Sequence, residues 1–290
     1  MEKLAFKYSV VIPHKNCPEL LKRCVDSIPK RDDIQIIVVD DNSDEGKKPL
    51  LQERNGLEVI LLNGSQAKGA GKARNVGLEH AIGEWLIFVD SDDFFHKNFW
   101  GKVDDFIEDK TVDIRYFCVD SVDSDTLKPI ERPSKKRLNG LIRDYLEKKE
   151  DAEDEIRFHY NVPWGKIFRR SFIIENNIRF EEVPVANDVM FSSTAGSLAK
   201  RITVYEDIMY IVTVRTGSLV LKKDRNSLRC RFMVSVRYNK YCESIGKIKC
   251  RTKLLVYLKR VLRQFGPIEL LWYIYKTIEY KQNPFKGSVK

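Results

Sequence analysis

No apolar run in the 290-residue sequence approaches the roughly 20 residues needed to cross a bilayer. The opening Met1-Glu2-Lys3-Leu4-Ala5-Phe6-Lys7 lacks the long apolar core of a secretory signal. A membrane-spanning or exported chain is therefore not expected. Six cysteines, at 17, 24, 118, 230, 242 and 250, form no C-x-x-C pair and no zinc-like spacing. Free thiols in a reducing cytoplasm are the expectation. The four histidines, at 14, 80, 96 and 159, have no metal-ligand spacing either. No G-x-x-x-x-G-K-[ST] stretch is present, which excludes a P-loop. Gly69-x-Gly71 has Arg74 where the dinucleotide fingerprint needs its third glycine, so that motif fails too. No internal repeat stands out. The formal charge of +9 calls for an anionic partner. The basic residues are dispersed and no nucleic-acid-binding motif occurs, so nucleic acid is not the expected one.

What the sequence does have is centred on Trp85-Leu-Ile-Phe-Val-Asp-Ser-Asp-Asp93. Five apolar residues, Trp85 to Val89, read as a strand buried on both faces. They deliver Asp90, Asp92 and Asp93 to the end of that strand, the edge at which open α/β sheets bind ligands. On an extended chain Asp90 and Asp92 project to the same side. Two converging carboxylates invite Mg²⁺ or Mn²⁺ shared with substrate phosphates; the alternative is a solvated turn that caps the next helix. Tyr8 to Pro13 and Ile34 to Asp40 are further buried strands, the second ending in Asp40-Asp41. Leu57 to Leu62 is a third, after a polar helix, and Ile114 to Val119 is the next beyond the acids. Lys68 to Gly77 is a basic, glycine-rich helix start suited to an anion, or else an exposed basic helix. This alternation predicts a largely parallel α/β sheet flanked by helices.

Residues 121 to 160 read as a loop, then a helix near Leu141 to Lys148 within a surface insertion. Asn187-Asp188 opens a later helix, and Ile202 to Tyr205 and Met209 to Val214 are two late strands. Two strand ends with acids plus a basic helix start form one constellation. One acid can accept from a base or ribose, another can hold a metal, and Arg74 can offset diphosphate charge.

Four blocks, Ser9-Val-Val-Ile-Pro13, Val38-Val-Asp-Asp-Asn-Ser43, Gly71-x-Ala-Arg-Asn-x-Gly77 and Gly83 to Asp93, resemble successive blocks of glycosyltransferase family 2. Trp164 to Arg170, Asn187-Asp188-x-x-Phe191 and Val214 to Ser218 follow the pattern of bacterial polysaccharide transferases. The resemblance implies a GT-A fold and an inverting enzyme that takes a nucleotide-diphospho-sugar, with uracil as the base. Pro13 and Lys15 would flank the nucleoside and Asp41 would accept from the base. Arg74 would lie near base and diphosphate, and Asp90 and Ser91 along the donor. Asp92 would contact the divalent metal, with Asp93 supporting the loop, and Trp164 and Asp93 on the acceptor side; a core tryptophan is the other reading of Trp164. Asp188 would be the catalytic base, although Asn187 stands where the family has glutamate. A sugar nucleotidyltransferase and a non-catalytic sugar-nucleotide binder are the alternatives. The first lacks support because the turn after the first strand, His14 to Pro18, has no glycine.

The implied organisation is a catalytic domain over 1–218, its nucleotide-sugar half about 1–120 and its acceptor half about 121–218. A helical C-terminal section follows over 219–290. There Leu254, Leu255, Tyr257, Leu258, Val261, Leu262 and Phe265 interleave with Lys253, Lys259, Arg260 and Arg263. That pattern fits an anionic membrane surface through 250–280, or packing on the catalytic domain or another subunit. The expected location is cytoplasmic with peripheral attachment at the inner face of the cell membrane, and the expected acceptor a glycan or lipid-linked hydroxyl.

Overall fold

The computed structural model describes residues 6–215 and 224–287. Thr216 to Ser218 and the boundary near 218 lie outside the described residues. In chain order the elements begin with β1 (Tyr8–His14), α1 (Pro18–Asp26), β2 (Ile34–Asp41), β3 (Leu57–Leu62) and α2 (Ala70–His80). Next come β4 (Trp85–Phe88), β5 (Phe94–Phe95), α3 (Val103–Phe106), β6 (Ile114–Asp123), α4 (Pro133–Leu146) and α5 (Ala152–His159). Then follow β7 (Lys166–Arg169), α6 (Arg170–Glu175), α7 (Val189–Leu198), β8 (Ile202–Val214), α8 (Arg225–Ser244) and α9 (Leu255–Glu279).

The strands form one sheet in the order β3-β2-β1-β4-β7-β6-β8-β5. β3, β2, β1 and β4 pair in parallel; β7 is antiparallel to both β4 and β6; β8 runs parallel to β6. Six strands thus share one direction, and β7 and β5 oppose it. The organising strand, β4, lies at the centre. Every residue of β1, β2 and β4 is buried, as continuous apolar runs demand. β3 is an edge strand and leaves Val59 and Leu61 partly exposed. The consequence for function is geometric: the ends of β2, β1, β4 and β8 all open on one edge.

Three departures from expectation have local causes. The polar helix before β3 is only one 3₁₀ turn, Glu45–Lys47, because Gly46 and Pro49 deny it length. Residues 121 to 160 are more ordered than their charge pattern implies: β6 runs on to Asp123 and two helices follow, α4 starting on Pro133. The two late strands are one, β8, with register shifts opposite Phe117 to Val119. A bulge there absorbs the break that Glu206-Asp207 makes in the apolar pattern. α8 begins at Asp224, whose carboxylate accepts from Ser227 N–H, and pairs with α9.

Candidate active site

The acids after β4 do not continue as a strand. Asp93 N–H donates to Asp90 O at 3.0 Å, closing a turn that divides the three carboxylates. Asp93 is buried beneath it, accepting from Tyr210 Oη at 2.8 Å and Thr213 N–H at 2.6 Å. Tyr210 Oη also accepts from Asp90 N–H, and Arg23 and Thr213 donate to Asp92 O. The turn is thereby fastened to β8, with Asp90 and Asp92 left facing outward. Burial and the neighbouring Asp90 raise the Asp92 carboxyl above the ordinary aspartate range, opposed by Arg215 at 3.3 Å. Burial, with Asp92 and Asp90, pushes Asp93 up further.

Four residues of the Gly71 to Gly77 block have a mechanical reason. A Cβ at Gly71 would stand 2.1 Å from Glu181 O, so only glycine lets α2 meet the 181–187 loop. A Cβ at Gly77 would stand 2.4 Å from Val11 Cγ1, so α2 lies directly on β1. Asn75 Nδ2 donates to Phe180 O, and its Oδ1 accepts from Phe180 N–H. Arg74, buried, spans the site: it donates to Asp90 Oδ1 at 2.5 Å and to Asn187 Oδ1 at 2.8 Å. Gly69 caps α2 with φ 88°, ψ 179°, a conformation that favours glycine, and offers its N–H to both Asp41 oxygens. Lys68 and Lys72 sit 3.6 and 3.5 Å from Glu182; of the expected basic cluster at the helix start, Arg74 and Lys68 line the cleft at the sheet edge and Lys72 does not.

Asp188 stands at the N-cap of α7 but makes no capping hydrogen bond. Its carboxylate is not tied up in the helix, and burial holds it above the ordinary aspartate range, with Arg74 opposing and Asp90 adding to the shift. Lys166, wholly buried among the rings of Tyr116, Tyr160 and Phe168 and bonded to Tyr160 O, is a further nearby cation. Burial drives its amine well below the usual lysine range.

A cleft of about 620 Å³ lies along the sheet edge. All seven residues expected on the donor, Pro13, Lys15, Asp41, Arg74, Asp90, Ser91 and Asp92, line it. Asp93, Trp164 and Asp188 are not among its lining residues; Asp188 adjoins the cleft through its neighbour Asn187, which is. Trp164 is buried, stacked at 5.0 Å and 5° on Tyr210. Asp93 and Trp164 both brace the turn from below: Asp93 supports the loop, as the resemblance implies, and the packing of Trp164 supports its core reading. Asp41, besides facing the cleft, pins Gly69 and holds Lys15 Nζ through its carbonyl at 2.9 Å.

Sequence reasoning missed three cleft residues. His14 donates from Nδ1 to Asp40 at 2.6 Å, while Nε2 accepts Cys17 N–H at 3.2 Å. That fixes the Nδ1–H tautomer and shapes the turn after β1. Cys17 Sγ lies 3.3 Å from Ser91 Oγ, linking that turn to the acids. The spacing of His14 and Cys17 gave no metal signal because their partners are backbone and Asp40. Arg215 follows β8, and its direction could be foreseen only from the parallel pairing of β8 with β6. Among the described residues no group of three or more His, Cys, Asp or Glu could hold a metal. The protein's share would be Asp92, with Asp90 adjoining, and diphosphate oxygens would supply the rest; Asp92 stays raised by burial and by Asp90 despite Arg215, a strain that a divalent cation at that carboxylate would relieve.

A curled, mostly parallel sheet with donor-type acids along one edge defines a GT-A fold. The model of glycosyl transferase family 2 matches residues 9–176, and the chain belongs to that family. It is 30% identical over 224 residues to the poly(ribitol-phosphate) beta-N-acetylglucosaminyltransferase TarS of Staphylococcus aureus, covering 73% of this chain and 36% of TarS. It is 26% identical over 217 residues to the uncharacterized glycosyltransferase EpsJ of Bacillus subtilis, covering 73% of this chain and 62% of EpsJ. The match thus spans about a third of TarS and under two thirds of EpsJ. The fold is shared with residues 1–349 of S. aureus TarS crystallised with UDP-GlcNAc: TM-score 0.69, 22% identity, covering 95% of this chain and 80% of that one.

Proposed function

We propose that this chain is an inverting glycosyltransferase that moves a sugar from a UDP-sugar to a hydroxyl of a glycan or lipid-linked acceptor. The product class is bacterial surface polysaccharide, made on the cytoplasmic side. Asp188 carries the reading. It is a carboxylate left out of its own helix cap, its basicity raised by burial, and its neighbour Asn187 is tied through Arg74 to Asp90 in the cleft.

The roles follow from position. β2, β1 and β4 lie side by side, so Asp41, Pro13 with Lys15, and the Asp90 turn succeed one another along the edge. The base would lie at Asp41 and Lys15, and the diphosphate and sugar beside Arg74, Asp90 and Ser91. A divalent metal at Asp92, when bound, would offset charge on the departing diphosphate. Asp188 removes the proton from the acceptor hydroxyl as its oxygen bonds to the anomeric carbon. The carbon–oxygen bond to the diphosphate breaks on the opposite face, which inverts the centre. Arg74, already held at both ends, needs no rearrangement to face the developing negative charge.

The test has two arms. A UDP-dependent rise in melting temperature that grows with Mn²⁺ and is lost in Asp92→Ala is expected if the cleft binds the donor. Asp188→Asn should keep that rise and lose transfer by about 10²-fold or more. Undiminished transfer in Asp188→Asn would move the base elsewhere; no rise with any nucleotide would remove the donor site.

A further inference from the structure

The C-terminal section is divided by Gly266, whose backbone (φ 81°, ψ −178°) leaves the helix and separates the two halves of α9 at Pro267. The first half spends its apolar face internally. Leu254 and Val261 are buried with Leu228, Phe232 and Tyr273, and Tyr257, Leu258 and Phe265 pack on them. Most of the apolar pattern at 254–265 is therefore the core of a helical pair within the C-terminal section itself, rather than a contact with the catalytic domain, and Leu262 is left exposed.

The second half, 267–279, does the opposite. Glu269, Tyr273 and Thr277 turn inward. Ile268, Leu271, Tyr275 and Ile278 are 84%, 64%, 60% and 70% exposed, with Ile274 beside them at 39%. Their spacing of three, four and three places them on one face. A contiguous apolar stripe of this kind on a helix of roughly 20 Å marks a contact surface. Phe285, 67% exposed, follows just past the helix end.

Charge names the partner. Residues 219–290 hold 18 of the 51 Lys and Arg but 4 of the 42 Asp and Glu, a formal +14, which leaves −5 for the rest of the chain. Lys259, Arg260, Arg263, Lys281 and Lys286 form no ion pair among the described residues. An exposed apolar stripe flanked by unpaired cations is what an anionic bilayer surface complements. A second copy fits less well: two sections of +14 would repel. One helix face also covers roughly a few hundred Å², short of the about 800 Å² per partner of a stable interface. We propose that the face Ile268–Leu271–Tyr275–Ile278 seats in the interfacial layer of an anionic membrane, with the basic residues of the first half of α9 on the lipid headgroups.

The experiment is co-sedimentation of the full chain with phosphatidylcholine vesicles, with and without phosphatidylglycerol. Binding is expected only with the anionic lipid, falling as salt is raised. Leu271→Ser with Ile278→Ser should weaken it about tenfold or more. Lys259→Gln and Arg263→Gln should each weaken it roughly fivefold. All four positions are solvent-facing, so the melting temperature and its rise with UDP should be unchanged; these report folding and donor binding independently of the membrane. Absence of sedimentation with anionic vesicles would overturn the proposal. A concentration-dependent dimer abolished by the double serine variant would assign the stripe to a second copy instead, and also overturn it.

Discussion

Glycine-to-alanine exchange at three helical positions separates the packing of the site from ordinary helix energetics. In isolation each exchange should stabilise by roughly 0.5–1 kcal/mol, because alanine gives up less backbone entropy. At Gly140 in α4 a new Cβ meets nothing within 4 Å, so the full gain should appear. At Gly77 it would sit 2.4 Å from Val11 Cγ1 on a stiff, branched side chain inside the core. At Gly71 it would sit 2.1 Å from Glu181 O and 3.1 Å from Asn187 Cβ. Contacts under 3.0 Å are not sustained by real Cβ atoms, so about 1 Å must open between α2 and the 181–187 loop. Overpacking costs about 1–3 kcal/mol, which outweighs the helix gain at both sites. At roughly 2–4 °C per kcal/mol, Gly140→Ala should melt a few degrees higher and the other two lower. Function should distinguish those two. Gly71→Ala displaces the loop that carries Asn187 and Asp188, and a misplacement of about 1 Å costs on the order of 10²-fold in rate. Gly77→Ala should lose stability with a smaller loss of kcat. Thermal denaturation and steady-state transfer assays read both quantities. If Gly71→Ala is as benign as Gly140→Ala, α2 does not abut the catalytic loop and the account of the block is wrong.

Two stability predictions rest on other contacts. Asp113 is buried, paired with Arg169, and accepts from Lys200 and Arg201 N–H. Asp113→Ala should cost about 3 kcal/mol in denaturant unfolding by stranding those donors, and a loss under 1 kcal/mol would argue against the network. Asp104 is held far below the usual carboxylate range, mostly by its bond to Arg31 and then those to Lys7 and Tyr8. A depressed carboxyl contributes stability above its unfolded pKa and loses it as pH falls through the folded one. Asp104→Asn should thus lower stability at neutral pH and flatten the acid-side decline below about pH 4. The effect is modest because the side chain is 47% exposed; an unchanged acid slope would remove the linkage.

Seven residues that line the cleft along the sheet edge are legible in the sequence because two simple signals coincide there. Apolar runs fix β1, β2 and β4, and the parallel pairing of those strands carries Asp41, Asp90 and Asp92 to one edge without any long-range guess. What stayed hidden depends on chain far away in sequence. The family resemblance gives Asp93 a loop-supporting role, but not the partners that hold it, Thr213 and Tyr210, 120 and 117 positions on. Nothing near Lys72 in sequence shows that Glu182 draws it off the cleft that Lys68 lines. In 121–160 the expected helix near Leu141 to Lys148 falls late against α4 and gives no sign of α5, because the two helices bury narrow faces, Leu138, Leu141 and Ile142, then Ile156 and Phe158, under heavy charge. The apolar pattern of 254–265 was read correctly as an amphipathic helix, but periodicity does not say which neighbour covers a face.

The family resemblance puts glutamate where Asn187 stands, and the geometry says what the amide does there. Its Oδ1 takes one nitrogen of Arg74 as a neutral acceptor, so Arg74 keeps a single carboxylate partner, Asp90. The charge of Arg74 consequently remains available to hold the Asp188 carboxyl down against burial and against Asp90. Asn187→Glu would add a negative charge one residue from Asp188 and absorb part of Arg74, and both effects raise the Asp188 pKa. A base works only when deprotonated, so activity is lost as pH falls through that pKa, and a raised pKa moves the acid limb of the kcat/KM profile to higher pH. With charges about 6 Å apart and an effective dielectric near 20, the shift should be about two pH units, less to the extent that solvent screens the pair. Donor binding, read by the melting shift with UDP, should change less, because Arg74 still faces Asp90. An acid limb that stays in place, or moves to lower pH, would mean that the titrating group does not sense residue 187, and Asp188 would then not be the base.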